Sequence, residues 1–280
     1  MASVDQLLKN LDHLPALPLA VTQLIGNLCS AKDDPKAEPT ERIVMRDSAL
    51  ATAVLRLANS AVLGFQVPAN TISESLNRIG ENQLLKIALS HASQGTLGEP
   101  VVGYGLEEGD AWLGALAGAL AAEEIAKVTR LADPNLAFTA GLLRDIGKLA
   151  MGLVVTPEEV EELMCVGATD VMRREQRAFG FDHAQIGAAL GRSWGLPTEL
   201  LHAIRFHHAV PNGDLGDPLY DIVHCGDGLA MMLGYGVGYD GLAYNMSPES
   251  RALLGFNQAR LESLLVKVRL RLREFLTFDD

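Results

Sequence analysis

The stretch AWLGALAGALAAEEIAKVTRLA, residues 111–132, decides the fold class. It is built from alanine and leucine, the strongest helix formers, and shows none of the period-two alternation of a half-buried strand. Gly114 and Gly118 stand four apart, a spacing that lets a second helix approach closely. A membrane span needs about 18 or more consecutive apolar residues. This run stops well short of that, at Glu123 and Glu124. The segment therefore reads as a helix in the core of a water-soluble protein.

The same periodicity extends outward in both directions. Upstream, Val21, Leu24, Ile25 and Leu28 follow the i, i+3, i+4, i+7 pattern of a buried helix face, between LPALP (14–18) and the polar loop DDPKAEP (33–39). Asp47 is placed to N-cap a helix reaching about Ala58. Ile72, Leu76 and Ile79 form a short stripe ended by Gly80, and QLLKIALSHA (83–92) is helical again. Residues 94–110, QGTLGEPVVGYGLEEGD, carry five glycines and a proline and mark a boundary between subdomains. Downstream, helices are expected over 135–152 and 157–179. Asp182 and Gln185 have capping-box spacing for the next, which ends at WGLP (194–197). Thr198 is expected to cap the helix leading to His208, with VPNGD (210–214) beyond it, and a further helix covers 219–233. In the tail, Leu261, Leu264, Leu265, Val268 and Leu272 make an amphipathic stripe, and Lys267, Arg269, Arg271 and Arg273 read as its solvated face rather than a docking surface. The chain is expected to be all-α, with an N-terminal lobe (1–100), a second helical lobe (101–235) and a C-terminal extension (236–280).

Composition narrows the class further. A hydrophobic fraction of 48% with only 5% aromatics suits a core of aliphatic side chains between helices. The net charge of -12 argues against broad capture of nucleic acid or of an anionic membrane. Cys29, Cys165 and Cys225 lie far apart with no C-x-x-C, so neither a disulfide framework nor a cysteine zinc site is indicated. The N-terminus lacks the basic head and apolar run of a signal peptide, and the expected location is the cytoplasm.

Carboxylates and histidines in apolar company carry the chemistry. Asp145 and Asp227 both fall on what should be core-facing helix positions. A buried carboxylate left unpaired costs several kcal/mol, so each requires a cation, a metal or hydrogen-bond donors. Four of the seven histidines, His183, His202, His207 and His208, fall within 26 residues. For His207 and His208 two readings stand. A histidine in the last turn of a helix is favoured by the helix dipole and needs no metal. Aspartate and histidine together are also suitable ligands for a divalent ion such as iron, manganese or zinc.

Taken in order, LPALPLAVTQLIGNL (14–28), ALATAVLRLANSAVLG (49–64), AGLLRDIGKL (140–149), FGFDHAQIGAALGRSWGLPTELLHAIRFHH (179–208) and VHCGDGLA (223–230) resemble the HDOD domain family. These are bacterial relatives of the HD metal-dependent phosphohydrolases, among them the HD-GYP type. The resemblance spans roughly residues 10–235. It implies an all-helical, two-lobed fold with a C-terminal HD-like lobe, and it makes Asn59-Ser60 a structural hallmark. One departure is Asp47-Ser48, where the family usually has Asp-Pro.

The resemblance also assigns the ligands. The first HD histidine, two positions beyond Trp112, is Gly114 here. The histidine of the His-Asp doublet is Arg144, and its aspartate is Asp145. The later ligands match His183, His207, His208 and Asp227. One metal position, made of the first histidine, the doublet and the last aspartate, has thus lost two ligands. The other, Asp145 with His183, His207 and His208, is complete. Neither glycine nor an always-protonated guanidinium can offer a lone pair to a cation. Arg144 is instead expected to stand in for the lost metal by neutralising a carboxylate, with Asp227 the partner.

No G-x-S-x-G, P-loop or Cys-His pair supplies another catalytic set. The expected function is a bacterial signalling or regulatory protein with a degenerate HD site, acting through a signalling protein partner or a small nucleotide-like ligand. The alternative is a phosphohydrolase using one divalent metal at the surviving position, with Arg144 or Lys148 contacting the phosphate.

Overall fold

A computed structural model describes residues 17–30, 38–60, 63–152, 171–208, 216–238 and 246–276 of the 280-residue chain. Fourteen α-helices are described: α1 Leu19–Cys29, α2 Thr40–Met45, α3 Ser48–Ala58, α4 Ile72–Ile79, α5 Glu81–Leu97, α6 Asp110–Thr129, α7 Pro134–Leu143, α8 Ile146–Gly152, α9 Val171–Phe179, α10 His183–Ser193, α11 Thr198–Phe206, α12 Pro218–Met232, α13 Pro248–Leu253 and α14 Gln258–Leu276. Among the described residues there is no strand, only one isolated bridge between Val101 and Leu106. The fold is all-α. No described helix is long and apolar enough to cross a membrane.

Helix α6 is the axis of the molecule, and its residues from Gly114 to Ala126 are all buried. Helices α7 and α12 pack along it, and glycine sets how closely. A Cβ on Gly141 of α7 would lie 2.9 Å from the Ala119 Cα, and one on Gly226 of α12 would lie 3.0 Å from the Gly118 carbonyl oxygen. Any larger side chain at either position would push the helices apart. The core continues through Phe138, Leu142, Ile186, Ile204 and Val223.

Local signals produce the helix ends. Asp47 accepts from the Ala49 and Leu50 amides at 3.1 and 3.0 Å, satisfying donors that the first turn of α3 leaves open. Asp182 and Gln185 form the expected capping box. Gly80 ends α4 with a φ of 77° that side chains disfavour. Asn59 clamps the loop after α3, donating to the Ala69 carbonyl (3.0 Å) and accepting from the Ala69 amide (2.6 Å). Beside it the Ser60 amide donates to the Leu57 carbonyl at 2.9 Å.

Four expectations change. The helix expected over 135–152 is two helices, broken at Arg144-Asp145. A continuous helix would set these two side chains about 100° apart, whereas the break turns both toward one cleft. The segment 94–110 is helical to Leu97 before it becomes a 3-10 turn at Val102–Tyr104. Pro197 occupies the cap position of α11, and Thr198 is its first helical residue, with no side-chain cap bond. Arg271 is only partly solvated: it reaches back to Glu123 and Glu124 on α6 at 2.8 Å. The loops at 33–37 and 210–214, Cys165 and the first part of the helix expected over 157–179 lie outside the described residues.

Candidate metal centre

The helix break, the start of α10 and the end of α11 converge. Asp145 sits at the break. His183 is the first residue of α10, placed there by the Asp182 cap. His207 ends α11, and His208 follows it. Between them, Asp145, His183, His207 and His208 offer four ligand atoms that all lie within 4.8 Å of one another. Asp145 Oδ1 is 3.4 Å from His183 Nε2 and 3.6 Å from His207 Nε2. His208 Nε2 is 3.0 Å from His183 Nε2. His202, the fourth histidine of the run, lies apart, near the Tyr220 hydroxyl at 3.4 Å.

The electrostatics favour an ionised Asp145 and a neutral His208, while His183 holds its proton more tightly and would have to release it to a cation. Burial opposes charge on Asp145, but the Lys148 ammonium and the Arg144 guanidinium beside it hold its carboxyl well below the ordinary value. Lys148 Nζ is 3.2 Å from Asp145 Oδ1. Burial, reinforced by His207 and His183, holds His208 well below the ordinary imidazole value and so neutral. For His183 burial works against protonation, yet the adjacent Glu175 carboxylate outweighs it and raises the pKa. His207 Nδ1 donates to the Ile204 carbonyl at 2.7 Å, so Nε2 is the nitrogen turned toward Asp145 and the other ligands.

Hydrogen bonding in the group is incomplete. His207 Nε2 and Asp145 Oδ1 are buried atoms with no well-formed hydrogen bond, Oδ1 having only its ion-pair contact with Lys148 at 3.2 Å and the ring nitrogens at 3.4 and 3.6 Å. Buried polar atoms are normally satisfied, and a divalent ion between them would complete both. Three imidazoles and a carboxylate are a fitting donor set for iron, manganese or zinc. The residues present fit a metal.

Asp227 stands outside this group. Its Oδ1 accepts two bonds from Arg144, from Nε at 2.7 Å and from a terminal nitrogen at 2.6 Å. The same guanidinium donates to the Gly141 carbonyl at 2.8 Å and the Gly114 carbonyl at 3.2 Å, and its Nε is 3.3 Å from Asp145 Oδ2. The absence of a side chain at Gly118 makes the room: a Cβ there would fall onto the guanidinium. At Gly114, a Cβ would come within 2.6 Å of the Gly236 Cα. The two positions that lack a ligand are therefore filled, one by a cation and the other by backbone. Beside them is a cavity of about 20 Å³, lined in part by Gly114, Arg144, Asp145, Lys148 and Gly236. That is room for one or two water molecules.

Three buried neighbours of the site were not legible from the chain alone. Glu175 holds the Nδ1 side of His183 at 2.8 Å. Tyr104 donates to Glu175 at 2.6 Å. His224 bridges the His207 carbonyl and the Ser247 amide at 2.8 and 2.9 Å. Glu175 sits in the charged run MRREQR (172–177), where nothing local distinguishes a buried carboxylate from a solvated one.

Comparison with known proteins agrees with this arrangement of helices. The sequence model of the HDOD domain matches residues 14–210. The chain belongs to the HDOD domain family. An uncharacterized protein of Treponema pallidum (strain Nichols) is 26% identical over 226 residues, 75% of this chain but 40% of that relative's length. The HDOD chain thus spans less than half of the curated relative it matches. Among solved structures, a proposed phosphohydrolase from Shewanella amazonensis SB2B is 24% identical with a TM-score of 0.65, covering 94% of this chain and 93% of its own. A proposed signal transduction protein from Marinobacter aquaeolei VT8 is 22% identical with a TM-score of 0.72, covering 96% of this chain and 60% of its own. At these identities the two structures show a shared fold.

Proposed function

We propose that this HDOD protein is a regulatory domain in bacterial signalling, working in the cytoplasm through a signalling protein partner or a small nucleotide-like ligand. In this reading its HD site is degenerate and keeps one divalent metal position, Asp145, His183, His207 and His208. The two lobes, 1–100 and 101–235, are the units that would move against one another, about the segment 94–110, with the extension 236–280 held to the second lobe by Arg271. The observation that carries the reading is Arg144 clamped onto Asp227. A permanent cation there neutralises the buried carboxylate with no exchangeable ion, which favours a stable scaffold over a hydrolytic centre built on two metals.

A second reading is a phosphohydrolase, favoured by Lys148, whose buried ammonium lies beside Asp145 at the cavity. A divalent ion held at the four ligands would supply a Lewis acid and an acidified water. Of the two expected phosphate contacts, Lys148 would then hold the phosphate, since the Arg144 guanidinium is committed to Asp227 and to the Gly141 and Gly114 carbonyls.

Elemental analysis of the purified wild type and Asp145→Ala, with p-nitrophenyl phosphate and bis-p-nitrophenyl phosphate assays, separates the readings. About one metal per chain, lost in the variant, with no turnover, is the expected result. Metal-dependent turnover abolished in Asp145→Ala would replace the regulatory reading with the enzymatic one. No metal in either protein, even after supplementation, would remove the metal position altogether.

A further inference from the structure

Glu175, on α9, is completely buried, and His183 and Tyr104 donate to its carboxylate. Its Oε2 accepts the His183 backbone amide at 2.8 Å, its two oxygens lie 2.8 and 2.9 Å from His183 Nδ1, and its Oε1 accepts the Tyr104 hydroxyl at 2.6 Å. Tyr104 comes from the 3-10 turn between α5 and α6, so the carboxylate joins three separate parts of the chain.

We infer that Glu175, anchored by Tyr104, is a positioning residue that fixes the ring of His183 with its Nε2 lone pair turned into the metal centre. This rests on the metal position proposed above. A carboxylate only accepts hydrogen bonds. With the amide, the imidazole and the phenol all donating to it, the proton of a neutral His183 belongs on Nδ1, and the lone pair belongs on Nε2. Nε2 is the atom 3.4 Å from Asp145 Oδ1 and 3.0 Å from His208 Nε2. The contact to the backbone amide fixes the angle as well, because it ties the carboxylate to the same residue whose ring it orients. A glutamine could not replace it: an amide has one acceptor oxygen to offer these three donors, and its NH₂ would face at least one of them. Carboxylates behind metal-bound histidines raise ligand basicity and hold the ring, and their loss typically weakens metal binding about 10–100-fold.

The test combines two readouts on the full chain. Long-range ¹⁵N–¹H correlation spectra of metal-free protein labelled at histidine report the tautomer, at a pH where the ring is neutral. Calorimetric titration with Mn²⁺ reports affinity, for wild type, Glu175→Gln and Tyr104→Phe. The expected result is the Nδ1–H tautomer for His183 in the wild type and a mixed or reversed tautomer in Glu175→Gln. Mn²⁺ affinity should fall about 10–100-fold in Glu175→Gln and by a smaller factor in Tyr104→Phe. An Nε2–H tautomer in the wild type would overturn the inference without any variant, which keeps it testable should Glu175→Gln fail to fold. So would a folded Glu175→Gln protein that binds Mn²⁺ as the wild type does, and the metal position itself would then still stand. If the wild type binds no divalent ion while the Nδ1–H tautomer is present, it is the metal reading that has failed, and the positioning role falls with it.

Discussion

Replacing Arg144 by methionine tests the idea that a tethered cation has taken the place of a metal. Methionine keeps much of the side-chain volume but removes the charge and all five donors. Asp227 is fully buried and takes both of its short contacts from this guanidinium, at 2.7 and 2.6 Å on Oδ1, while its Oδ2 has no hydrogen-bond partner. The variant therefore leaves a carboxylate in the core with no cation. Breaking a buried pair from one side costs about 3–5 kcal/mol. For a chain of this size the corresponding fall in Tm is on the order of 10 °C. Adding Asp227→Asn removes the stranded charge, and the double variant should lose only about 1–2 kcal/mol. The coupling between the two sites, read from urea unfolding of the four proteins, should then be at least about 2 kcal/mol. A cost below about 1 kcal/mol for Arg144→Met, or strictly additive effects, would refute the reasoning. Either result would mean that the guanidinium does not neutralise Asp227.

Three further outcomes follow from the same geometry. Gly118→Ala puts a methyl where the Arg144 guanidinium lies, so it should destabilise by about 1–3 kcal/mol; calorimetry should find most of that penalty gone in an Arg144→Ala background. Restoring the histidines with Gly114→His and Arg144→His should not add a second metal equivalent by elemental analysis, because the Gly236 backbone occupies the space a side chain at 114 needs. Burial opposes the Glu123 charge, but Arg271, Lys86 and Lys127 together hold its pKa below the ordinary 4.5. The unfolded chain then binds the extra proton first, so stability from this group is present above about pH 4.5 and is lost as the pH falls through the lower folded value. Glu123→Gln should flatten the acid limb of a stability–pH curve, and an unchanged limb would count against the assignment. Lys86, its 2.6 Å partner, is shifted down because burial outweighs the attraction there, so the stabilisation rests with the carboxylate.

How much of the molecule is legible in the chain depends on how far apart the interacting residues stand. Asp47, Asp182 with Gln185, and Gly80 were readable because each acts on backbone within about four residues. The α14 stripe was readable for the same reason, and its Leu264, Val268 and Leu272 are buried as the spacing requires. Thr198 shows where local rules compete. Threonine is a good cap, yet the preceding proline took that position and left Thr198 as the first residue of the helix.

The sequence by itself determined an all-α chain, its membership of the HDOD family through motifs in fixed order, and which residue types could hold a cation. It also determined what could not: a glycine at 114 and a guanidinium at 144 have no lone pair to give. Only the tertiary structure decided where those groups meet. Arg144 and Asp227 are 83 residues apart, Lys86 and Glu123 are 37 apart, and Glu124 and Arg271 are 147 apart. Nor does the sequence say that the helix breaks at Arg144-Asp145, since each residue alone is compatible with continuing it. At the break two polar side chains meet their partners in one buried cleft. That is a demand of desolvation, and it arises only once the helices have packed.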